Sequence, residues 1–295
     1  MNEFKNYHPI VNFAYFLFVI MFTMFFMHPV CLCISLGAGF VYSIILGGSK
    51  SAKFNFLYML PFLLVCAAAN PLFNHQGVTI LAYFPSGNPL TLESVLYGIA
   101  AAAVIVSVVC WFGCYSKVMT SDKFVYLFGR VIPAMSLVLS MTLRFVPQFA
   151  RQIKNVARGQ QCLGKSVDEG TVVQRAKNGI KIFSIMITWA LENAVQTADS
   201  MKSSGYGLPG RTAFSIYKFD KRDCAVLLFI CACSIYVFAG WMWGNMRFDY
   251  FPAMSAIEST AYQLSLYVVY ALLCMLPVII EITEEIRWKY LRYKI

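Results

Sequence analysis

Runs of about twenty apolar residues, separated by short polar breaks, set the pattern of this chain. They fall at roughly 10–27, 29–47, 54–73 and 93–115 in the first half and at 223–243 and 262–283 in the second. A helix needs about 20 such residues to cross a hydrocarbon layer, so each run predicts a membrane span. Transmembrane β-strands would alternate polar and apolar residues over about ten positions, and no such alternation is present. The expected fold class is an all-α polytopic membrane protein with about six transmembrane helices. Asn70-Pro71 and the NHQG of residues 74–77 end the third span. The weakly apolar VTILAYF that follows predicts a short interfacial or re-entrant segment.

Two further apolar stretches, 124–143 and 180–195, are ambiguous as spans. With the N-terminus in the cytoplasm, four spans return the chain to the cytoplasm near Lys117 and Lys123. A crossing by 124–143 would carry Arg144, Arg151, Lys154, Arg158, Lys165, Arg175 and Lys177 outward. That opposes the bias that keeps Lys and Arg of short loops inside. The expected arrangement has six spans, with eight as the competitor. It gives a four-span region at 1–116, a cytoplasmic and partly membrane-embedded helical region at 117–222, and a two-span region at 223–295. Both termini then face the cytoplasm. The start, MNEFKNYHPIVNF, lacks a basic n-region with a cleavage site and reads as a first span, not a signal peptide.

Composition agrees with a membrane location. Apolar residues make up 59% of the chain and charged residues 13%, about half the charge of a soluble domain. Charge is also concentrated: of 24 Lys and Arg, thirteen lie between Arg144 and Arg222. Such a balance points to anionic headgroups or an acidic protein partner. No soluble basic domain or binding motif argues for nucleic acid. Most of the ten cysteines sit in apolar runs, where thiols pack as small hydrophobes. Three scattered histidines do not make a zinc site, and no metal or cofactor is expected.

Within 117–222 an amphipathic helix is expected from about 134 to 162. Phe145, Phe149, Ile153, Val156 and Leu163 fall on one side, with Arg144, Arg151, Lys154 and Arg158 roughly opposite. Asp168 and Thr171 are candidate caps for a second helix. It runs to about Ser204, where Gly205 is placed as a left-handed terminator and Pro209 blocks continuation. LGGSKS, residues 46–51, lacks the glycine before lysine that a phosphate-binding loop requires and follows a span, so any ATP use belongs to another subunit. Glu192 and Asn193, if buried, need partners; a structural hydrogen bond is the favoured role over a proton role. Glu93, at the start of a span, suits the helix N-terminus. The basic helix has two open roles, lying on anionic lipid or docking in a partner's groove.

The residues TLRFVPQFARQIKN, GQQCLG and TWALENAVQTADSMKSSGYGLPGRTAFS resemble the transmembrane T component of energy-coupling factor transporters, the EcfT/CbiQ family. In that family the T component is a non-catalytic membrane scaffold. Its coupling helices end in alanine-arginine-glycine-type motifs that dock in grooves of two ABC-type ATPase subunits, and another surface holds a substrate-binding S component. The resemblance implies an ATP-driven importer of vitamins or metal ions. It places the first motif on Cys162, Leu163 and Gly164, preceded by Gln160, and the second on Ser203, Ser204 and Gly205. Arg144, Pro147 and Arg211 would support them. The family arginine is replaced by Leu163 and by Ser204. A literal Ala157-Arg158-Gly159 lies five residues too early and on a different face, and is read as coincidental. The competing classes are a self-contained secondary transporter, which needs intramembrane ionisable groups and internal repeats, and an intramembrane enzyme, which needs a clustered constellation.

Overall fold

Two His-Pro pairs start the first two helices. In α1 (Pro9–Phe25) and α2 (Pro29–Phe54) the proline occupies the first turn, where its missing N–H costs nothing. The preceding imidazole accepts a free amide: Ile10 N–H to His8 Nδ1 at 3.3 Å, and Val30 N–H to His28 Nδ1 at 3.4 Å. The computed structural model describes residues 3–83, 89–129, 132–168, 170–206, 208, 217–252, 254–255 and 260–294. Among them the chain is helical apart from one two-stranded hairpin. It divides into two units, Met1–Thr120 with Tyr217–Ile295, and Ser121–Ile216.

The first unit holds the apolar runs. Helix α2 continues through a π-turn at Asn55–Met59 into α3 (Leu60–Phe73). Gly48, at φ 58°, breaks this run between the two apolar stretches expected there, because a left-handed residue cannot continue a helix. Then come α4 (Leu92–Val118), α8 (Lys221–Met242) and α9 (Ala261–Lys294). Four helical segments among the described residues are long and apolar enough to cross a membrane: Pro29–Phe73, Leu92–Val118, Lys221–Met242 and Ala261–Arg292. Helix α1 is apolar and, at 17 residues, shorter.

Aromatic rings fill the centre of this unit. Trp111 of α4 is fully buried, with Tyr15, Phe16 and Tyr42 at centroid distances of 6.1, 6.4 and 6.3 Å. A polar chain threads the same core. Trp111 Nε1 donates to Ser35 Oγ at 3.0 Å, Ser35 Oγ lies 2.7 Å from Thr23 Oγ1, and Thr23 Oγ1 lies 3.4 Å from the Tyr270 hydroxyl. Four helices are thus stitched without leaving the indole N–H unmet in an apolar setting, where an unpaired donor is expensive.

The segment after α3, expected as a short interfacial or re-entrant piece, includes a strand. Strand β1 (Ile80–Tyr83) pairs antiparallel with β2 (Pro89–Thr91). Glu93 pins the hairpin, accepting the Thr79 N–H at 3.1 Å and the Thr79 hydroxyl at 2.8 Å. Its structural reading stands, with a hydrogen-bonded loop added to the helix terminus.

The second unit contains α5 (Ser121–Gly129), α6 (Pro133–Cys162) and α7 (Val172–Ser203). The ambiguous stretch 124–143 is therefore two helices, with Pro133 opening the second in the first-turn position that suits proline. The other stretch, 180–195, lies inside α7. Phe145 stacks on Phe149 at 6.0 Å, and Phe149 meets Trp189 of α7 edge-on at 5.4 Å. Only Ile182 and Met186 of α7 are buried.

Candidate functional site: two exposed helix ends

Each site expected from the sequence is a helix terminus, and backbone geometry defines both. In α6 the cap residue is Leu163 and Gly164 takes φ +69°. Gly164 N–H donates to the Gln161 carbonyl at 3.0 Å and Lys165 N–H to the Gln160 carbonyl at 2.9 Å. In α7 the cap is Ser204 and Gly205 takes φ +76°. Gly205 N–H donates to the Lys202 carbonyl at 3.0 Å and Tyr206 N–H to the Met201 carbonyl at 2.9 Å. Both pairs form the six-to-one and five-to-two bonds of a Schellman terminus, which satisfies the last carbonyls and requires a left-handed residue that glycine adopts without strain. Helix α8 ends the same way at Gly244, so the motif alone does not mark a docking site. Exposure does not separate them either: Cys162, Leu163, Gly164, Ser203 and Ser204 are all exposed, Leu163 to 68%, and so are Met242, Trp243 and Gly244 at the end of α8, Trp243 to 75%.

An exposed leucine at a helix cap has no packing reason inside this chain. As the cap residue it lies one position beyond the last helical residue, Cys162. The serines behave differently. Ser204 Oγ donates to the Ser200 carbonyl at 2.8 Å, and Ser203 Oγ reaches the Asp199 and Ser200 carbonyls, both at 3.0 Å. Their hydroxyls are turned back on their own helix. Gln160 is half-buried, and its Oε1 meets no hydrogen-bond partner.

The structure does not bring the two ends together. The loop between α6 and α7 is short and tied down: Asn178 Nδ2 donates to the Ser166 carbonyl at 2.8 Å and Arg175 Nε to the Val167 carbonyl at 2.8 Å. Thr171, not Asp168, caps α7, in a capping box with Gln174. The α6 end therefore sits at the start of α7 and the Ser204 end at its finish. With 32 residues in α7 the ends are about 48 Å apart along its axis.

Of the supporting residues, Arg144 is exposed on α6. Pro147 is inside α6, where it removes one backbone donor, and its carbonyl accepts Arg151 Nε at 3.3 Å. Arg211, Gly207 and Pro209 lie outside the described residues. Ala157-Arg158-Gly159 is helix interior, with no terminus to present. Glu192 is exposed, so it needs no buried partner; Asn193 is half-buried. Glu281 of α9 went unrecognised in the sequence. It is 7% exposed and lies against Glu3 and Phe4 of the N-terminal turn, with its Oε1 lacking a hydrogen-bond partner among the described residues. The three carboxylates in EITEEI were the available signal.

No family model matches the chain. It is similar to curated proteins named energy-coupling factor transporter transmembrane protein EcfT. The relative from Brevibacillus brevis is 30% identical over 114 residues, 38% of this chain and 42% of the relative. Those from Lactobacillus helveticus and Streptococcus thermophilus are each 29% identical, over 104 and 110 residues. These matches cover 35% and 36% of this chain, and 38% and 42% of the relatives. The chain thus spans about two fifths of the length of the curated relatives it matches.

Proposed function

We propose that this protein is the transmembrane coupling subunit of an ATP-driven importer of the energy-coupling factor type. Its two exposed helix ends would dock in grooves of two ABC-type ATPase subunits, one per end. ATP-driven movement of those subunits would pass through α6 and α7 to a membrane-embedded, substrate-binding S component. The observation that carries this reading is the pair of exposed Schellman termini about 48 Å apart along α7. That spacing suits two separate partners and not one ligand pocket. Similarity to proteins named EcfT supports it. The chain itself would be non-catalytic, with both termini and the helix ends cytoplasmic, and vitamins or metal ions as cargo.

The docking chemistry follows from the residues present. Leu163 offers only apolar surface, and the Ser204 hydroxyl is already engaged within its helix. Docking at these points would rest on packing. Leu163→Glu tests this in the membrane-purified full chain. A carboxylate pressed into an apolar groove loses its hydration, so co-purifying ATPase should fall at least tenfold while the chain's own thermal midpoint stays put. Unchanged ATPase recovery would remove the α6 end from the interface.

A further inference from the structure

Helix α6 ends by turning the chain back on itself, and the reversal makes a recess. Gly164 takes the left-handed φ of +69°, after which Ser166, Val167 and Asp168 face Lys154, Arg158 and Gln161 of α6 across a hollow of about 220 Å³. That is several times a water molecule's share of about 30 Å³. Lys154, Arg158 and Gln161 are spaced by four and three residues, so they share one helix face. Hydrogen bonds hold the loop wall. Ser166 is buried, its hydroxyl accepts the Asp168 N–H at 3.1 Å, and its carbonyl accepts Asn178 Nδ2 of α7 at 2.8 Å. Gln161 ties the recess to the helix end, because its carbonyl accepts the Gly164 N–H at 3.0 Å. Charge here is out of balance. Two exposed cations and a single carboxylate, Asp168, line the recess. Among the described residues, neither Lys154 nor Arg158 has a carboxylate within 4 Å.

We propose that the recess receives an acidic side chain of the ATPase that docks at the α6 end, an inference that rests on the docking function proposed above. Lys154 and Arg158 then supply the charged contact that Leu163 cannot make. Arg158 precedes Leu163 by five residues, about 7.5 Å along the axis, so one partner surface reaches both. Its planar guanidinium matches a carboxylate through two parallel hydrogen bonds. Ala157-Arg158-Gly159 has no terminus to present, yet its arginine acts from the side of the helix. The charge expected at the end of α6 is thus moved inward by more than one turn. A protein carboxylate fits better than a phospholipid headgroup. Bound lipid needs an apolar bed for its chains, and Leu163 is the only large apolar side chain exposed between Lys154 and Ser166.

The full chain, purified from membranes with its ATPase, can be treated with a carbodiimide, which joins an amine to a carboxylate touching it. Asp168→Asn takes the recess's own carboxylate out of that reaction. In this variant Lys154 should be linked to an Asp or Glu of the ATPase, identified by peptide mass spectrometry. An intact complex in which Lys154 is linked to no ATPase residue would overturn the proposal. Lys154→Glu with Arg158→Glu should cut ATPase recovery at least tenfold, since like charges facing each other across an interface repel. Both positions are exposed, so the chain's own thermal midpoint should hold. Lys50→Glu with Lys53→Glu makes the same change in net charge elsewhere and should leave recovery unchanged. Equal loss from the two pairs would reduce the effect to net charge and remove the recess from the interface. If Leu163→Glu abolishes recovery while Lys154→Glu with Arg158→Glu retains it, docking at the α6 end stands and the recess assignment falls. If the wild type itself brings down no ATPase, the docking function fails and the recess with it. Phosphatidylglycerol retained by the wild type and lost from the charge-reversed chain, at equal ATPase recovery, would give the recess to a lipid headgroup instead.

Discussion

The two units of this chain solve the problem of apolar surface in opposite ways. Around Trp111 the first unit closes on itself: rings from α1 and α2 pack against the indole, and a hydrogen-bonded chain from Trp111 to Tyr270 meets the polar atoms there. The second unit leaves its apolar residues open. Ile180, Phe183, Ile187, Leu191 and Val195 follow one another along α7 at helical spacing, exposed at 46–70%. Such a stripe marks a surface meant for lipid or protein. The first unit also has exposed apolar residues, such as Phe56, Leu64 and Val65 at 63–69%, but it has a closed core beside them, which the second unit lacks.

Substitution at the two places should therefore give very different results. Trp111→Ala removes a fully buried indole and one of the two hydrogen bonds of the Ser35 hydroxyl. The expected loss is about 3–5 kcal/mol, read as a large drop in thermal midpoint or in recovery from membranes. Phe183→Ala, at a residue 66% exposed, should change the stability of the isolated chain by less than about 0.5 kcal/mol. Equal destabilisation by the two would break the comparison.

The helix ends allow a finer contrast. Leu163 has no polar group to offer, whereas Ser204 has one that is spent on the Ser200 carbonyl. Ser204→Arg gives up that local bond and sends a guanidinium outward from the cap. A charge-assisted hydrogen bond to a partner carboxylate contributes about 1.5–3 kcal/mol. If the groove is acidic, ATPase should then dissociate at least tenfold more slowly from the complex. Weaker binding would mean a groove complementary to a small neutral cap, and so built differently from the one the resemblance implies.

Legibility from sequence followed the range of the interaction. The ends of α6 and α7 were readable because glycine punctuates them locally, and Gly164 and Gly205 adopt the positive φ that position demands. The break between the apolar stretches 29–47 and 54–73 was readable from the polar residues between them, and Gly48 marks it in the fold. The β-hairpin was not. Its anchor is Glu93 reaching back fourteen residues to Thr79, a pairing that no periodicity encodes. Glu281 was missed because what it lies against is the N-terminal turn, far away in sequence. His8 and His28 were weighed as metal ligands, while the proline after each made them helix caps. In 124–143 continuous apolar character hid the punctuation at Gly129 and Pro133. The departures of Leu163 and Ser204 from the family pattern were visible at once. What the side chains do there, one exposed and one folded back, needed coordinates.

The smallest expected effect concerns how α7 carries load between its ends. Its first turn is held by the Thr171–Gln174 capping box, while its last is held by backbone bonds around Gly205 and by the Ser203 and Ser204 hydroxyls. Thr171→Ala should cost about 1 kcal/mol, confined to the cap, because helix-end effects fade within about one turn. Amide exchange at Val173, Gln174 and Arg175 should quicken about five-fold, while amides of Ser204 and Gly205 keep their rates. If the far amides also quicken, α7 transmits loss of order along its whole length. The two docking ends would then be energetically linked, and the helix would act as a cooperative element instead of a rigid spacer between independent sites.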